Sequence, residues 1–451
     1  MDRKAFVLLG LGFGDEGKGS VTDYIVRSQQ AHTVVRFNGG PQAAHHVTTP
    51  EQQLHCFAQF GSGSFVSGVK TYLSRFMLID PIGMELEAEH LKSKGIKNIF
   101  QRTFINRECL VVTPFQKIIN RMLELSRKSH RHGSCGMGVG QTITDANYLK
   151  DRALFASDIE DRTLLRKKLD FIWRLKLDLA EQLSATEPEN ETLAGYFYQI
   201  SQKDLVEKIV DRYVSISNRM QLVDEKFQKT LFEASGAIVF EGAQGLLLDP
   251  EYGFQPHVTK TRTTFHNADL LLENYSGEVK RMGVLRSYHT RHGAGPFVTE
   301  DLELTDKIPD EHNSRNDWQQ DFRVGWFDLV AARYSLTIAK GLDSIALTNL
   351  DRLFSVDEIK LCTGYKVAPS DLFLFGDGLV ATEIKITSPY QTRLTQLLFE
   401  AKPVYENIKD LERKNLLSFI HDYVHLIKNR LKVPIEVVSF GKTFEEKLSS
   451  L

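Results

Sequence analysis

The sequence predicts an α/β protein: an open, mostly parallel β-sheet flanked by helices, with a P-loop-like phosphate-binding turn near its start. Three observations predict it. Short apolar runs recur along the chain: AFVLLG (5–10), TVVRFNGG (33–40), IVFEGAQG (238–245), MGVLRSY (282–288), SIALTNLD (344–351) and IEVVSFG (435–441). Runs of this length without polar alternation are strands buried on both faces, as in a parallel sheet. Amphipathic helical spacing lies between them, the order that parallel crossovers require. Each run closes in glycine or polar residues, and in such sheets ligands collect beyond the carboxyl ends of the strands.

The first run leads into GLGFGDEGKGS (10–20). From Gly12 it has the frame G-x-x-x-x-G-K, ending in Gly17 and Lys18, but Gly19 stands where a hydroxyl would follow and Ser20 comes one place late. A glycine turn opening a helix presents backbone N–H groups and a favourable dipole to anions. Lys18 adds a point charge for phosphate oxygens. Val21, Tyr24, Ile25 and Ser28 then share one helical face, with GKG at the helix N-terminus. Asp15 and Glu16 would repel phosphate unless Mg²⁺ is present, since that ion wants hard oxygen ligands and reverses the local sign. A carboxylate here could also accept a proton from a substrate lying on the loop.

The second run ends in RFNGGPQAAHHV (36–47), where Gln42 and the pair His45, His46 follow two glycines. An imidazole beside a phosphate can donate to charge that develops during transfer. In 161–233 helical spacing dominates, broken by TEPENET (186–192). Residues 300–321 carry eight acids against two bases, Lys307 and Arg315, without apolar period, and read as a solvated loop.

Composition sets the outer bounds. A 451-residue chain can bury one large core or two modest ones. Its 42% hydrophobic and 25% charged residues and net charge of −2 give no basic excess, so neither nucleic acid nor a membrane surface is expected as partner. Cys56, Cys109, Cys135 and Cys362 are scattered without a C-x-x-C pair, which fits a reducing compartment. With no leader-like start and no spanning apolar stretch, the cytoplasm is the expected location.

Taken in order, GDEGKG, R-F-N-G-G-x-x-A-x-H, FEGAQG-x-LLD with P-x-V-T, TR-x-GAGPF-x-TE, GWFD and VPIEVVS resemble the adenylosuccinate synthetase family. The resemblance runs from residue 6 to about 441 and is weakest in 160–232, a helix-rich insertion in what it implies is one domain over 1–451. It implies a GTP-binding fold of that type, a homodimer, and a ligase that joins a purine nucleotide (IMP) to L-aspartate with GTP and Mg²⁺.

Residue by residue, the resemblance puts Asp15 on the catalytic base and a magnesium ligand, and His45 on the general acid. The carbonyl of Ala44 falls on a second magnesium ligand. Gly14, Glu16, Gly17, Lys18, Gly19, Ser20 and His46 fall on the GTP phosphate side. Asn349, Leu350 and Asp351 fall on the guanine site, with Ser439, Phe440 and Gly441 as its second turn. Gln42, Ser134, Cys135, Gln244 and Thr259 fall on the purine nucleotide. Asp351 would accept from guanine N1 and N2, a donor pair adenine lacks.

The pattern also breaks. The family's arginine loop before G-W-[LF]-D reads WQQDFRVGWFD (318–328) here. Arg323 keeps the last arginine, Phe322 replaces the one that clamps the amino-acid carboxylate, and Gln320 the one on the ribose. A charged hydrogen bond contributes about 1.5–3 kcal/mol, so a dicarboxylate would bind about ten- to a hundredfold worse for each such arginine that is missing. Gln42 stands for asparagine, Ala44 for glycine, Asn349 for lysine, Cys135 for threonine and Met137 for arginine. Arg152 or Lys150 would stand in for the arginine supplied by the partner subunit. These changes leave two expectations: a ligase forming adenylosuccinate or an analogue, or a divergent paralogue that keeps GTP-driven 6-phosphorylation but uses another amine donor or another purine nucleotide, such as a deoxy or 2-amino form.

Overall fold

The computed structural model describes residues 3–128, 131–310, 318–319, 321–368, 374–375, 380–386, 390–409 and 411–449. Its centre is a ten-stranded sheet. In chain order the strands are β1 (Arg3–Gly10), β2 (Thr33–Arg36), β3 (Lys70–Leu73), β4 (Thr103–Asn106), β5 (Gln221–Val223), β6 (Gly236–Gly245), β7 (Glu278–Arg286), β8 (Ser344–Thr348), β9 (Ile435–Ser439) and β10 (Lys447–Ser449). Their spatial order is β10-β9-β8-β7-β1-β6-β2-β3-β4-β5. All neighbours run parallel except β10, which lies antiparallel on β9 at one edge.

β1 shows why the runs lack alternation. Its side chains point to both faces in turn. Ala5, Val7 and Leu9 join one core with Phe240, Leu285 and Leu347. Phe6 and Leu8 join the other with Val21 and Ile25 of the helix α1 (Lys18–Ser28). A third apolar cluster packs helices Pro114–Ser126, Arg162–Thr186 and Leu205–Ser217 beside β3 and β4. Among the described residues no helix is long and apolar enough to cross a membrane.

The acidic stretch is not the solvated loop its composition implies. Asp301 caps a helix, Leu302–Lys307, its side chain accepting from Leu304 N–H at 3.0 Å. Leu304 and Ile308 are buried. Two apolar residues four apart suffice to dock one helical turn, and acids on the remaining positions conceal them. Residues 311–317 and Gln320 lie outside the described residues. The following strand, Phe322–Gly325, pairs antiparallel with His289–His292, setting His292 opposite Phe322.

Candidate active site

Five strand ends converge on the site, those of β1, β2, β6, β8 and β9. After β1 the loop is shaped by Glu16. Its carboxylate turns into the loop, where Oε1 accepts from Gly12 N–H at 3.0 Å and Gly14 N–H at 2.8 Å and Oε2 pairs with Lys18. Thr348 Oγ1 donates to the Glu16 carbonyl at 2.7 Å, and Arg286 Nε to the Asp15 carbonyl. These bonds hold Asp15 in left-handed backbone at φ 59°, and Gly17, at φ 87°, caps α1. Gly19 is a steric requirement, because a Cβ there would lie 2.8 Å from His45 Cβ. Burial pushes the Asp15 carboxyl up, opposed by Arg286, Lys18 and His292.

His45 is backed by a buried carboxylate. Its Nδ1 lies 2.6 Å from Glu241 Oε1. Glu241, 0% exposed, also accepts from Ser62 N–H at 3.0 Å and from the Ser62 hydroxyl. Burial raises the Glu241 carboxyl, but Arg36, His45 and Ser62 outweigh it and hold it down at about 2. Burial lowers the His45 imidazole, opposed by Glu241. With Glu241 ionised, Nδ1 carries the proton, and Nε2 is the ring atom left for a ligand.

Asn38 fixes the turn after β6. Its amide accepts from Ala243 N–H at 2.7 Å and donates to the Ala243 and Arg262 carbonyls at 3.1 and 2.9 Å. Gln244 follows in left-handed backbone, φ 65°, its Oε1 accepting from Thr261 at 2.9 Å. Asn349, φ 60°, opens the helix Leu350–Phe354 that presents Asp351, whose carboxyl burial pushes up.

These segments wall one cavity of about 1130 Å³. Asp15, Lys18, Gly14, Gly17, Gly19 and Ser20 line it, facing Gln42, Ala44, His45 and His46. Ser134, Cys135, Gln244 and Thr259 form a further stretch of wall. Asn349, Asp351, Ser439 and Gly441 close another. Gln42 leaves both amide atoms buried without a hydrogen-bond partner among the described residues, a group that a ligand would satisfy.

Other expected residues lie elsewhere. Glu16 faces its own loop, so its expected role on GTP becomes one of shaping the turn. Leu350 is buried in the core and Phe440 packs against it. Arg152 is exposed and lies over Phe171, off this cavity. Arg323 is tied to Glu300 at 2.8 Å and to the carbonyls of Gly293 and Gly295, and the Phe322 ring packs against Arg286 and His292. Gln320 lies outside the described residues.

Four residues that sequence reasoning passed over are Arg286, His292 and Asp310 on the cavity wall and Glu241 behind His45. Glu241 and Arg286 left a signal, a charge inside an otherwise apolar strand. Asp310 left none.

Among the described residues no group of three or more His, Cys, Asp or Glu side chains could hold a metal. The donors present, the Asp15 carboxylate and the Ala44 carbonyl, are hard oxygens. They fit Mg²⁺ bridged to phosphates, where the protein supplies one or two ligands.

A glycine turn at the carboxyl edge of a parallel sheet, with an acid and an imidazole in the same cavity, defines a nucleotide-binding α/β protein equipped for proton and phosphoryl transfer. Comparison with known proteins narrows this class. The adenylosuccinate synthetase family profile matches residues 7–448. The adenylosuccinate synthetase of Chlorobium chlorochromatii is 29% identical over 98% of this chain and 96% of its own length. That of Francisella tularensis is 27% identical over 98% and 97%. Among solved structures, fully ligated adenylosuccinate synthetase from Plasmodium falciparum shares the fold with a TM-score of 0.77 at 21% identity, covering 99% of both chains. A cyanophage S-2L succinoaminodeoxyadenylate synthetase, bound to dGMP and dATP, is more distant, with a TM-score of 0.61 at 12% identity over 100% of this chain and 96% of that one. The chain belongs to the adenylosuccinate synthetase family, a family of GTP-dependent ligases.

Proposed function

We propose that this protein uses GTP and Mg²⁺ to phosphorylate O6 of a purine nucleotide, IMP or a close analogue, and then joins C6 to L-aspartate, forming adenylosuccinate or its analogue. The observation that carries this reading is the placement of Asp15 and His45 on one cavity, each buried and each with a fixed supporting group. Asp15 accepts the purine N1 proton, so that O6 gains the electron density to attack the γ-phosphorus. His45 Nε2 donates to a γ-phosphate oxygen as charge develops. That requires the doubly protonated ring, which ionised Glu241 favours against burial. Lys18 and the loop N–H groups orient the phosphates. Asp15 and the Ala44 carbonyl would hold Mg²⁺, which neutralises phosphate charge when bound. The amine then displaces the 6-phosphate as inorganic phosphate. Asp351 favours guanine over adenine.

A second reading is supported by the state of the arginine loop. Arg323 is committed to Glu300 and two carbonyls, and Phe322 offers no cation. The same activation of O6 would then serve another amine, or another nucleotide. One experiment separates the two. The protein is incubated with GTP, Mg²⁺ and a panel of purine nucleotides, with and without L-aspartate, and products are followed by mass. GDP formed only with IMP and aspartate upholds the first reading. GDP formed without aspartate upholds the second. Absence of turnover with every nucleotide refutes both and leaves a nucleotide sensor.

A further inference from the structure

We infer that Asp310 reads the ribose of the bound nucleoside triphosphate, accepting a hydrogen bond from a sugar hydroxyl, and thereby sets a preference for ribo- over deoxyribonucleotide donors. The inference rests on the ligase reading in one respect, that phosphates lie on the glycine turn and the base at Asp351. Between those two places Asp310 is held from both sides. Arg286, buried on the cavity wall, donates to the Asp15 carbonyl through Nε and reaches Asp310 Oδ2 with Nη2 at 3.2 Å. On the other side the Pro309 carbonyl accepts from Arg352, which directly follows Asp351. Asp310 itself lines the cavity, its side chain 12% exposed.

A triphosphate stretched from the turn to Asp351 must pass its sugar through the space between them. The chemistry also selects the sugar. An ionised carboxylate only accepts hydrogen bonds and has about four lone-pair directions, so the bond to Arg286 leaves acceptor capacity. Phosphate oxygens would be repelled. The guanine donors already have Asp351. The neutral ribose, with two hydroxyl donors, is the part of the ligand that suits it. Arg286 Nη1 lies 3.2 Å from the Tyr288 hydroxyl, which fixes the guanidinium and through it the carboxylate.

Binding of GDP and 2′-deoxy-GDP to the full-length protein with Mg²⁺, measured by calorimetry, tests this without any need for turnover. The native protein is expected to bind GDP about tenfold more tightly or better, the size of one hydrogen bond to a charged group. Asp310→Ala and Asp310→Leu are both expected to bind the two ligands within about twofold, through weakened GDP binding alone. Two variants of different volume keep the result independent of one poorly folded protein, and melting curves check each. Equal binding of both ligands by the native protein overturns the inference, as does an unchanged preference in the variants. A preference lost instead between IMP and dIMP overturns it too, by placing Asp310 on the acceptor nucleotide. A protein that binds GDP with this preference but ligates nothing would defeat the ligase reading while upholding the role of Asp310.

Discussion

Replacing Glu241 by glutamine tests the support behind His45. The carboxylate receives His45 Nδ1 and the Ser62 hydroxyl on one oxygen and Ser62 N–H on the other. A glutamine NH₂ must take one of those places and face a donor. One orphaned buried donor costs about 1–3 kcal/mol. Arg36 loses more. Its Nη1 donates to the Phe60 carbonyl at 3.1 Å, but Nε and Nη2 are buried without a hydrogen-bond partner among the described residues, so Glu241 is the charge that balances it. Removing one member of a buried pair costs about 3–5 kcal/mol. Glu241→Gln should therefore lower the melting temperature clearly and, by disfavouring the imidazolium, lower kcat about ten- to a hundredfold with KM for GTP little changed. Adding Arg36→Met should recover stability and leave kcat low. The pH dependence has a definite sign. Glu241 is depressed from 4.5 to about 2, so the stability it supplies is complete above 4.5 and is lost as pH falls through that value towards 2. The full effect is on the order of 3 kcal/mol. A melting temperature that does not move in Glu241→Gln, or a kcat restored together with stability by Arg36→Met, would refute the reasoning.

Three further substitutions examine other walls of the cavity. Asp15→Ala should abolish turnover, by at least about a thousandfold, while the melting curve stays cooperative; near-normal GDP release would remove Asp15 from the chemistry. Gly19→Ala places a Cβ 2.8 Å from His45 Cβ and 3.0 Å from its carbonyl carbon, and should cost about a hundredfold in kcat/KM with weaker GDP binding by calorimetry. Asp351→Asn should raise KM for GTP about ten- to a hundredfold and narrow its advantage over ATP, and an unchanged GTP-to-ATP ratio in steady-state assays would contradict the guanine assignment.

The six runs singled out in the sequence all fall in the central sheet, because strands buried on both faces need continuous apolar residues. The strands passed over, β3, β4, β5 and β10, are short; in KTYL (70–73) and TFIN (103–106) polar residues interrupt the run. They are strands because a neighbour completes their hydrogen bonds. The glycine turn was legible because its glycines are sterically required, as Gly19 against His45 shows. The direction of the Glu16 side chain was not. A carboxylate in a phosphate-like motif reads as ligand-facing, and only the bonds from Gly12 and Gly14 show that it serves the turn. Asp310 was hidden for another reason: its partners, Arg286 and the segment bound by Arg352, are remote in sequence.

Asp15, Gln244 and Asn349 adopt a backbone shape that glycine reaches at no steric cost. Each turn would relax by about 1 kcal/mol if glycine took the position. A screen that rewards heat resistance alone will be drawn to these three codons. The winners it returns should endure warming better than the parent and yet have forgotten their chemistry, so any such selection needs an activity check at every round.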